Sequence, residues 1–301
     1  MHRRSLVFVL MGVMLAIAPI ASAKTVTIAT YNILNLFDVF DNPYTDDEST
    51  PVKPRSEIEQ VAQVIRQLDA DVIVLQEVEN EQVLTAMVDA FLPDMGYDYI
   101  AAPPGNDGRG ITLGVLSRKP IVKLTSYRWQ PVVHPGEPKT HHFARDLLHA
   151  TIQATEQSTL EVFVVHLKSK SSRKNDPKSV GWRSAEATKA RDIIAHLEQQ
   201  NPNLLGIIMG DFNSKLEDPA SQIVFAPVDG KPVLYDVMAN LPLTQRITYP
   251  STRYPNSVID YMGVTAALRD KLVPDSAKVF PQSDITQGSD HLPLTAQFDL
   301  P

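Results

Sequence analysis

Asn32, Glu77, His166, Asp211, Asn213, Asp260, Asp290 and His291 are scattered along the chain, yet most stand directly after a short apolar run. Residues 71–76 lead to Glu77, residues 160–165 to His166, and residues 204–209 to Asp211 and Asn213. Runs of this length and composition read as buried strands. A polar residue at such an end sits where a rigid element hands a side chain to a surface site. Asp211 and Asn213 are two residues apart, so in extended backbone both point the same way. The first is an acceptor-only carboxylate, and the second both donates and accepts. Together they can align a water and face a developing negative charge. Taken alone, Gly210-Asp211-Phe212-Asn213-Ser214 is equally an Asx turn closing a strand that Gly210 breaks. The wider set says more. Its carboxylates and amide are hard oxygen ligands suited to Mg2+ or Mn2+. A histidine backed by a carboxylate serves as a base or a phosphate contact.

For these ends to converge, their strands must share the edge of a common sheet. The patterning supplies such strands at 26–30, 71–76, 97–101, 111–116, 147–153, 160–165, 204–209 and 259–263, with a closing segment at 289–298. Helical spacing appears at 57–68, where Ile58, Val61, Val64, Ile65 and Leu68 fall on one face, and again at 81–91 and 185–197. Interleaved strands and helices predict an α/β fold. With no Gly-Ser linker and no fixed-period repeat, residues 24–301 read as one domain. Three stretches read as loops. Residues 38–54 are acidic and turn-rich, consistent with a calcium site or with a solvated acidic loop. Residues 130–142 are rich in Pro and His and read as exposed; His134, His141 and His142 are given no part in the chemistry. Residues 168–183 hold Lys168, Lys170, Arg173, Lys174, Lys178 and Arg183 against a single acid, Asp176. Asp107 and Arg109 are accounted for by a turn.

The chain has 301 residues, 43% hydrophobic and 21% charged, which is a globular composition. It has no cysteine, which excludes disulfides, thiolate metal sites and a cysteine nucleophile. Residues 1–23 read as a secretory signal peptide. His2-Arg3-Arg4 is basic, 6–20 is apolar, and Ala21-Ser22-Ala23 is a small-residue cleavage site. Losing Arg3 and Arg4 would take the net charge from -7 to -9. The expectation is an exported protein, periplasmic or extracellular, monomeric and without stable membrane insertion. An acidic total does not forbid phosphate binding through a local basic patch or a metal ion.

Eight stretches in order resemble the endonuclease/exonuclease/phosphatase superfamily, whose fold is deoxyribonuclease I-like. They are ATYNILNLF around Asn32, LQEVEN around Glu77, GITLGVLSRKPI at 110–121, FARDLL around Arg145, VVHLKS around His166, GDFNS, IDYMGV around Asp260, and SDHLPLTAQF. The resemblance implies a four-layer αββα sandwich of two mixed sheets with the site at the strand ends. It implies Asn32, Glu77 and Asp290 at an Mg2+ or Mn2+ site, with Glu77 the main ligand. It implies His291 as the essential histidine oriented by Asp260, and His166 on the scissile phosphate. Asp211 and Asn213 would align the attacking water and steady the transition state, and Arg145 would bind phosphate. Lys170 and Arg173, in the basic stretch after His166, are further candidates for substrate contact. Departures narrow the substrate. Met209 and Ser214 replace the tryptophan and arginine that flank this motif in inositol-polyphosphate phosphatases. Trp129 and Trp182 are too far apart for the membrane-dipping hairpin of bacterial sphingomyelinases. The leader argues against an intracellular abasic-site enzyme. The resulting expectation is a metal-dependent phosphodiesterase, an exported nuclease with nucleic acid as substrate and little sequence preference. The alternative is a hydrolase of a phospholipid or small phosphoester.

Overall fold

Strands and helices alternate as the hydrophobic patterning requires. A computed structural model describes residues 23–171, 173–280 and 288–301. The expected leader, apart from Ala23, lies outside them. In chain order the elements are β1 (Lys24–Leu36), α1 (Arg55–Leu68), β2 (Val72–Val78), α2 (Glu81–Phe91), β3 (Tyr99–Ala101), β4 (Thr112–Ser117), β5 (Ile121–Ser126), β6 (Leu147–Gln153) and β7 (Thr159–His166). Then follow α3 (Val180–Gln200), β8 (Gly206–Asp211), α4 (Pro219–Val224), β9 (Tyr235–Asp236), β10 (Asp260–Val264), α5 (Ala266–Arg269), β11 (Lys278–Val279) and β12 (Leu294–Leu300).

The strands form two six-stranded sheets, ordered β11-β12-β1-β2-β4-β3 and β5-β6-β7-β8-β10-β9. Each is mixed: β1–β2 and β7–β8 run parallel and their other neighbours antiparallel. The inner faces meet in an apolar core of Ile28, Val72, Val74 and Val115 from one sheet and Val162, Val164, Ile207 and Met209 from the other. Helices α1 and α2 cover the outer face of the first sheet through Val61, Ile65, Leu84 and Met87 against Ala29, Ile73 and Leu75. Helix α3 covers the second through Ala187, Ala190 and Ile194 against Phe163, Val165 and Ile208. The result is the four-layer αββα sandwich. Central strands are buried on both faces, which is why they read as continuous apolar runs.

Register fixes the site. On the parallel pair β7–β8, His166 lies opposite Asp211. On the antiparallel pair β8–β10, Asp260 lies opposite the same Asp211. In the other sheet Asn32 pairs with Gln76, one residue before Glu77. Because β1 and β2 pack over β8, these ends face one another across the sandwich.

Three expectations change. Gly210 does not break its strand, since β8 runs through it to Asp211. Its φ is +138°, and a Cβ there would fall 2.0 Å from the Val165 carbonyl oxygen, so only glycine fits. Residues 168–183 are not all loop. A 3-10 turn at Pro177–Ser179 leads into α3 at Val180. The Asp176 carboxylate accepts the N–H of Gly181 at 2.8 Å and of Trp182 at 3.0 Å, satisfying donors that a helix start leaves free. Residues 130–142 are partly internal, because Val132 bridges to His141 and both are buried with His134.

Candidate active site

Asp211 is the hub of the convergent strand ends. One carboxylate oxygen accepts the Asn213 N–H at 2.7 Å. The other faces Asn32 Nδ2 at 3.2 Å, His166 Nε2 at 3.4 Å and His291 Nε2 at 3.9 Å. Asn213 adopts a left-handed φ of 49°, which turns its amide back toward Asp211 and the Leu167 carbonyl, 3.1 Å away. Behind His291, Asp260 Oδ2 meets Nδ1 at 2.8 Å, so Nε2 is the nitrogen presented to the cleft. The ring edge packs on Tyr249, and the His291 N–H is held by Ser289, whose hydroxyl donates to the Asn32 carbonyl.

Glu77 sits on an irregularity shared by two ladders. The β1–β2 register shifts between Asn32 and Leu36, and the β2–β4 register shifts between Gln76 and Val78. Leu34, Asn35 and Glu77 all take positive φ, at 54°, 50° and 67°. Non-glycine residues bear a cost there, and bulges of this kind re-aim side chains beside functional sites. The Glu77 carboxylate then accepts from Asn32 Nδ2 at 3.3 Å and the Asn35 N–H at 3.0 Å. The Asn32 oxygen is engaged by the Leu34 N–H at 3.1 Å. Asn32 therefore orients Glu77 and Asp211 through its amide N–H groups, while its oxygen keeps a second lone pair beside the Leu34 N–H.

The two histidines are driven apart in charge. Burial lowers His166 well below its ordinary 6.5, and Arg145, His291, Arg109 and Lys168 add to the effect. Burial also opposes charge on His291, but Asp260, Asp211 and Asp290 outweigh it and push the ring up to about 10. Asp211 is raised by burial, with Asp260 and Glu77 adding and His291 opposing. One neutral imidazole, one imidazolium and a carboxylate poised to hold a proton thus share a cleft, the pattern from which acid and base roles are read.

The cleft encloses about 1060 Å3. Glu77, His166, Asp211, Asn213, Asp290, His291, Arg145 and Lys170 line it, while Asn32 and Asp260 stand just behind. Arg145 is buried, with Nε 3.0 Å from Asp107 and an N–H on the Leu167 carbonyl at 3.2 Å. Lys170 lines the cleft but is paired with Asp218 at 2.8 Å. Arg173 is not brought to the cleft: its guanidinium lies 4.9 Å over the Trp182 ring. Asp107 and Arg109, which in the sequence are accounted for by a turn, also line the wall, as do Tyr249 and Tyr254, which carry no signal in the sequence. Glu186, equally unmarked in the sequence, is buried under the wall, where it accepts the Ala144 and Lys168 N–H groups at 2.6 Å each. No local motif marks these residues; only the fold assembles them.

The donor set suits a hard divalent cation. Among the described residues no lysine or arginine ion-pairs with Glu77, Asp211, Asp260 or Asp290, so negative charge gathers around a single imidazolium. Among the described residues, no three acids or histidines of the cleft bring an oxygen or nitrogen each within 4.8 Å of one another. A hard cation of the Mg2+ type needs only one or two carboxylates and leaves positions for water and phosphate. Glu77 and Asp290 are the residues that would hold it.

Comparison with known proteins agrees with this geometry. The sequence model of the Endonuclease/Exonuclease/phosphatase family matches residues 27–291. The chain belongs to that family, whose members are hydrolases acting on phosphoesters and generally use divalent metals. Similar solved structures include the human Nocturnin catalytic domain with bound sulfate, at 17% identity and a TM-score of 0.64, covering 93% of this chain and 98% of that one. A family protein from Bacteroides thetaiotaomicron has 18% identity and a TM-score of 0.62, covering 93% and 96%. Truncated Caenorhabditis elegans TDP2 has 17% identity and a TM-score of 0.57, covering 91% and 98%. At these identities the likeness is one of fold. No curated protein matches the sequence.

Proposed function

We propose that the protein is an exported, metal-dependent phosphodiesterase that cleaves nucleic-acid backbones with little sequence preference. The observation that carries this reading is the union, in one cleft, of the Asp211 hub and a basic wall of Arg109, Arg145, Lys168, Lys178 and Arg183. An Mg2+ or Mn2+ ion held by Glu77 and Asp290 would neutralise charge on the scissile phosphate. The chain's own groups do the rest. Asp211 holds the attacking water and takes its proton as the oxygen bonds to phosphorus. The imidazolium of His291 meets the charge that grows on the phosphoryl oxygens, and the Asn213 amide, donating to Asp211 and the Leu167 carbonyl, holds the base in place. His166, kept neutral, offers a hydrogen bond to the same group without repelling the cation beside it. The ester bond opposite the water breaks, and the leaving oxygen is protonated from solvent in the open cleft. Asp260 fixes the position of His291 and favours its charged form. The wall tracks the backbone through contacts that carry no sequence information.

A small phosphoester is the second reading. It is favoured by two cations being spent elsewhere, Lys170 on Asp218 and Arg173 on Trp182. The test is to offer plasmid DNA, RNA, sphingomyelin and bis-p-nitrophenyl phosphate with Mg2+ or Mn2+ at rising salt. A nuclease should prefer the polymers and lose affinity steeply with ionic strength. Salt-insensitive turnover of the lipid or the small ester alone would replace the first reading with the second.

A further inference from the structure

The loop of residues 38–54, between β1 and α1, plays no part in the proposed reaction. Within it Asp41, Asp47 and Glu48 each place a carboxylate oxygen within 4.8 Å of the other two. Asp41 and Glu48 are exposed, but Asp47 is 7% exposed. Its Oδ1 is shielded from solvent and accepts no hydrogen bond. Its other oxygen has only a long contact, 3.4 Å from the Asn42 N–H. A buried carboxylate oxygen without a partner, on a residue grouped with two further carboxylates, is costly unless a cation completes it. No lysine, arginine or histidine among the described residues lies within 4.0 Å of the three. The loop's root adds to the imbalance. The Asp38 N–H donates to Glu79, a carboxylate that is itself nine-tenths buried and has no basic partner there.

We propose that Asp41, Asp47 and Glu48 form a Ca2+ site on this loop, separate from the catalytic cleft. All-oxygen donors exclude the softer transition metals as preferred occupants. Three carboxylate oxygens that all lie within 4.8 Å of one another can surround a single hard cation such as Ca2+, whose ligands sit at about 2.4 Å. Three carboxylates from one irregular loop also match the tolerance of Ca2+ for uneven coordination, where Mg2+ demands a near-ideal octahedron. The site reaches the cleft at one remove. Asp46, between the ligands, donates its N–H to the Gly108 carbonyl at 2.7 Å, and Thr45 packs on Gly110. That turn carries Asp107, which holds Arg145 and Arg109 in the cleft wall. Ca2+ binding therefore stiffens the substrate side of the cleft without touching the reacting groups. This inference does not depend on which phosphoester is cleaved.

The test uses a Glu77→Gln/Asp290→Asn variant, so that the catalytic site cannot supply the signal. Calorimetric titration with Ca2+ alone should show one site, and excess Ca2+ should raise Tm by several degrees and slow proteolysis of the loop. Adding Asp41→Asn and Glu48→Gln, both at exposed positions that leave folding intact, should abolish binding and the Tm shift. Three results would overturn the proposal. One is no Ca2+ response in the first variant. The second is an undiminished response after the loop substitutions. The third is an equal shift from Mg2+ at the same concentration.

Discussion

His166 and His291 lie on either side of one carboxylate, yet their surroundings force opposite charge states. Burial and four cationic neighbours keep His166 neutral, whereas Asp260, Asp211 and Asp290 keep His291 charged. In the metal-free protein the His291 ring should stay protonated through neutral pH, and nuclear magnetic resonance should find its titration near 10. Because the folded value is raised, the stability this ring contributes is present below its ordinary 6.5 and is lost as pH rises through about 10. Asp260→Asn should bring the titration down toward the ordinary value and slow turnover; an unchanged titration would mean that Asp260 does not hold the ring. Glu186 offers a second pH test away from the acids of the cleft. Burial raises its carboxyl from 4.5 to about 7 despite two backbone hydrogen bonds. Its contribution to stability is thus present below 4.5 and lost as pH rises through about 7. Thermal scans between those limits should show wild-type Tm falling with pH more steeply than Glu186→Gln. Parallel curves would contradict the account.

At the scale of elements, two joints carry the site: the Gly210 step in β8 and the capped start of α3. Gly210→Ala would drive a methyl into the Val165 carbonyl in a backbone conformation that alanine avoids. A loss of at least about 3 kcal/mol in denaturant unfolding, or failure to fold, is expected. Asp176→Ala removes two N–H acceptors from α3 and the partner of His134, whose Nε2 lies 3.2 Å away. A loss of roughly 2 kcal/mol is expected, with faster proteolysis in the basic segment that Asp176 fastens. What the sequence disclosed follows from these joints. Strand ends were legible because a doubly buried strand must be an apolar run, and a polar residue ending it stands out at Glu77, His166 and Asp211. The bulge that re-aims Glu77 was not, since Leu34, Asn35 and Glu77 adopt positive φ without glycine. The first turns of α3 were read as loop because Val180-Gly181-Trp182 lacks helical spacing and the cap lies four residues ahead. Strand β5 was missed because it is an edge strand, with Val122 and Leu124 exposed.

For the whole molecule, an acidic chain carries a locally basic cleft wall, and that contrast separates binding from chemistry. Lys178→Glu with Lys170→Glu should raise KM on DNA, most at low salt, and make its rise with salt shallower, while kcat on bis-p-nitrophenyl phosphate stays near wild type. Equal losses on both substrates would place these lysines in the reaction itself. No helix among the described residues is long and apolar enough to cross a membrane. The sandwich was legible as a whole because eight short motifs fall in family order, whereas the partners of each cation were not, since Asp218 and Trp182 reach Lys170 and Arg173 only through the fold. The central claim is that divalent metal and Asp211 together drive phosphodiester hydrolysis in this cleft. Its most direct test is the turnover of plasmid DNA by metal-depleted protein, with and without Mg2+ or Mn2+, for wild type and Asp211→Asn. Cleavage should be absent in chelator, recover with either ion, and fall by roughly two or more orders of magnitude in Asp211→Asn. Full activity in chelator, or near wild-type turnover by Asp211→Asn, would contradict that claim.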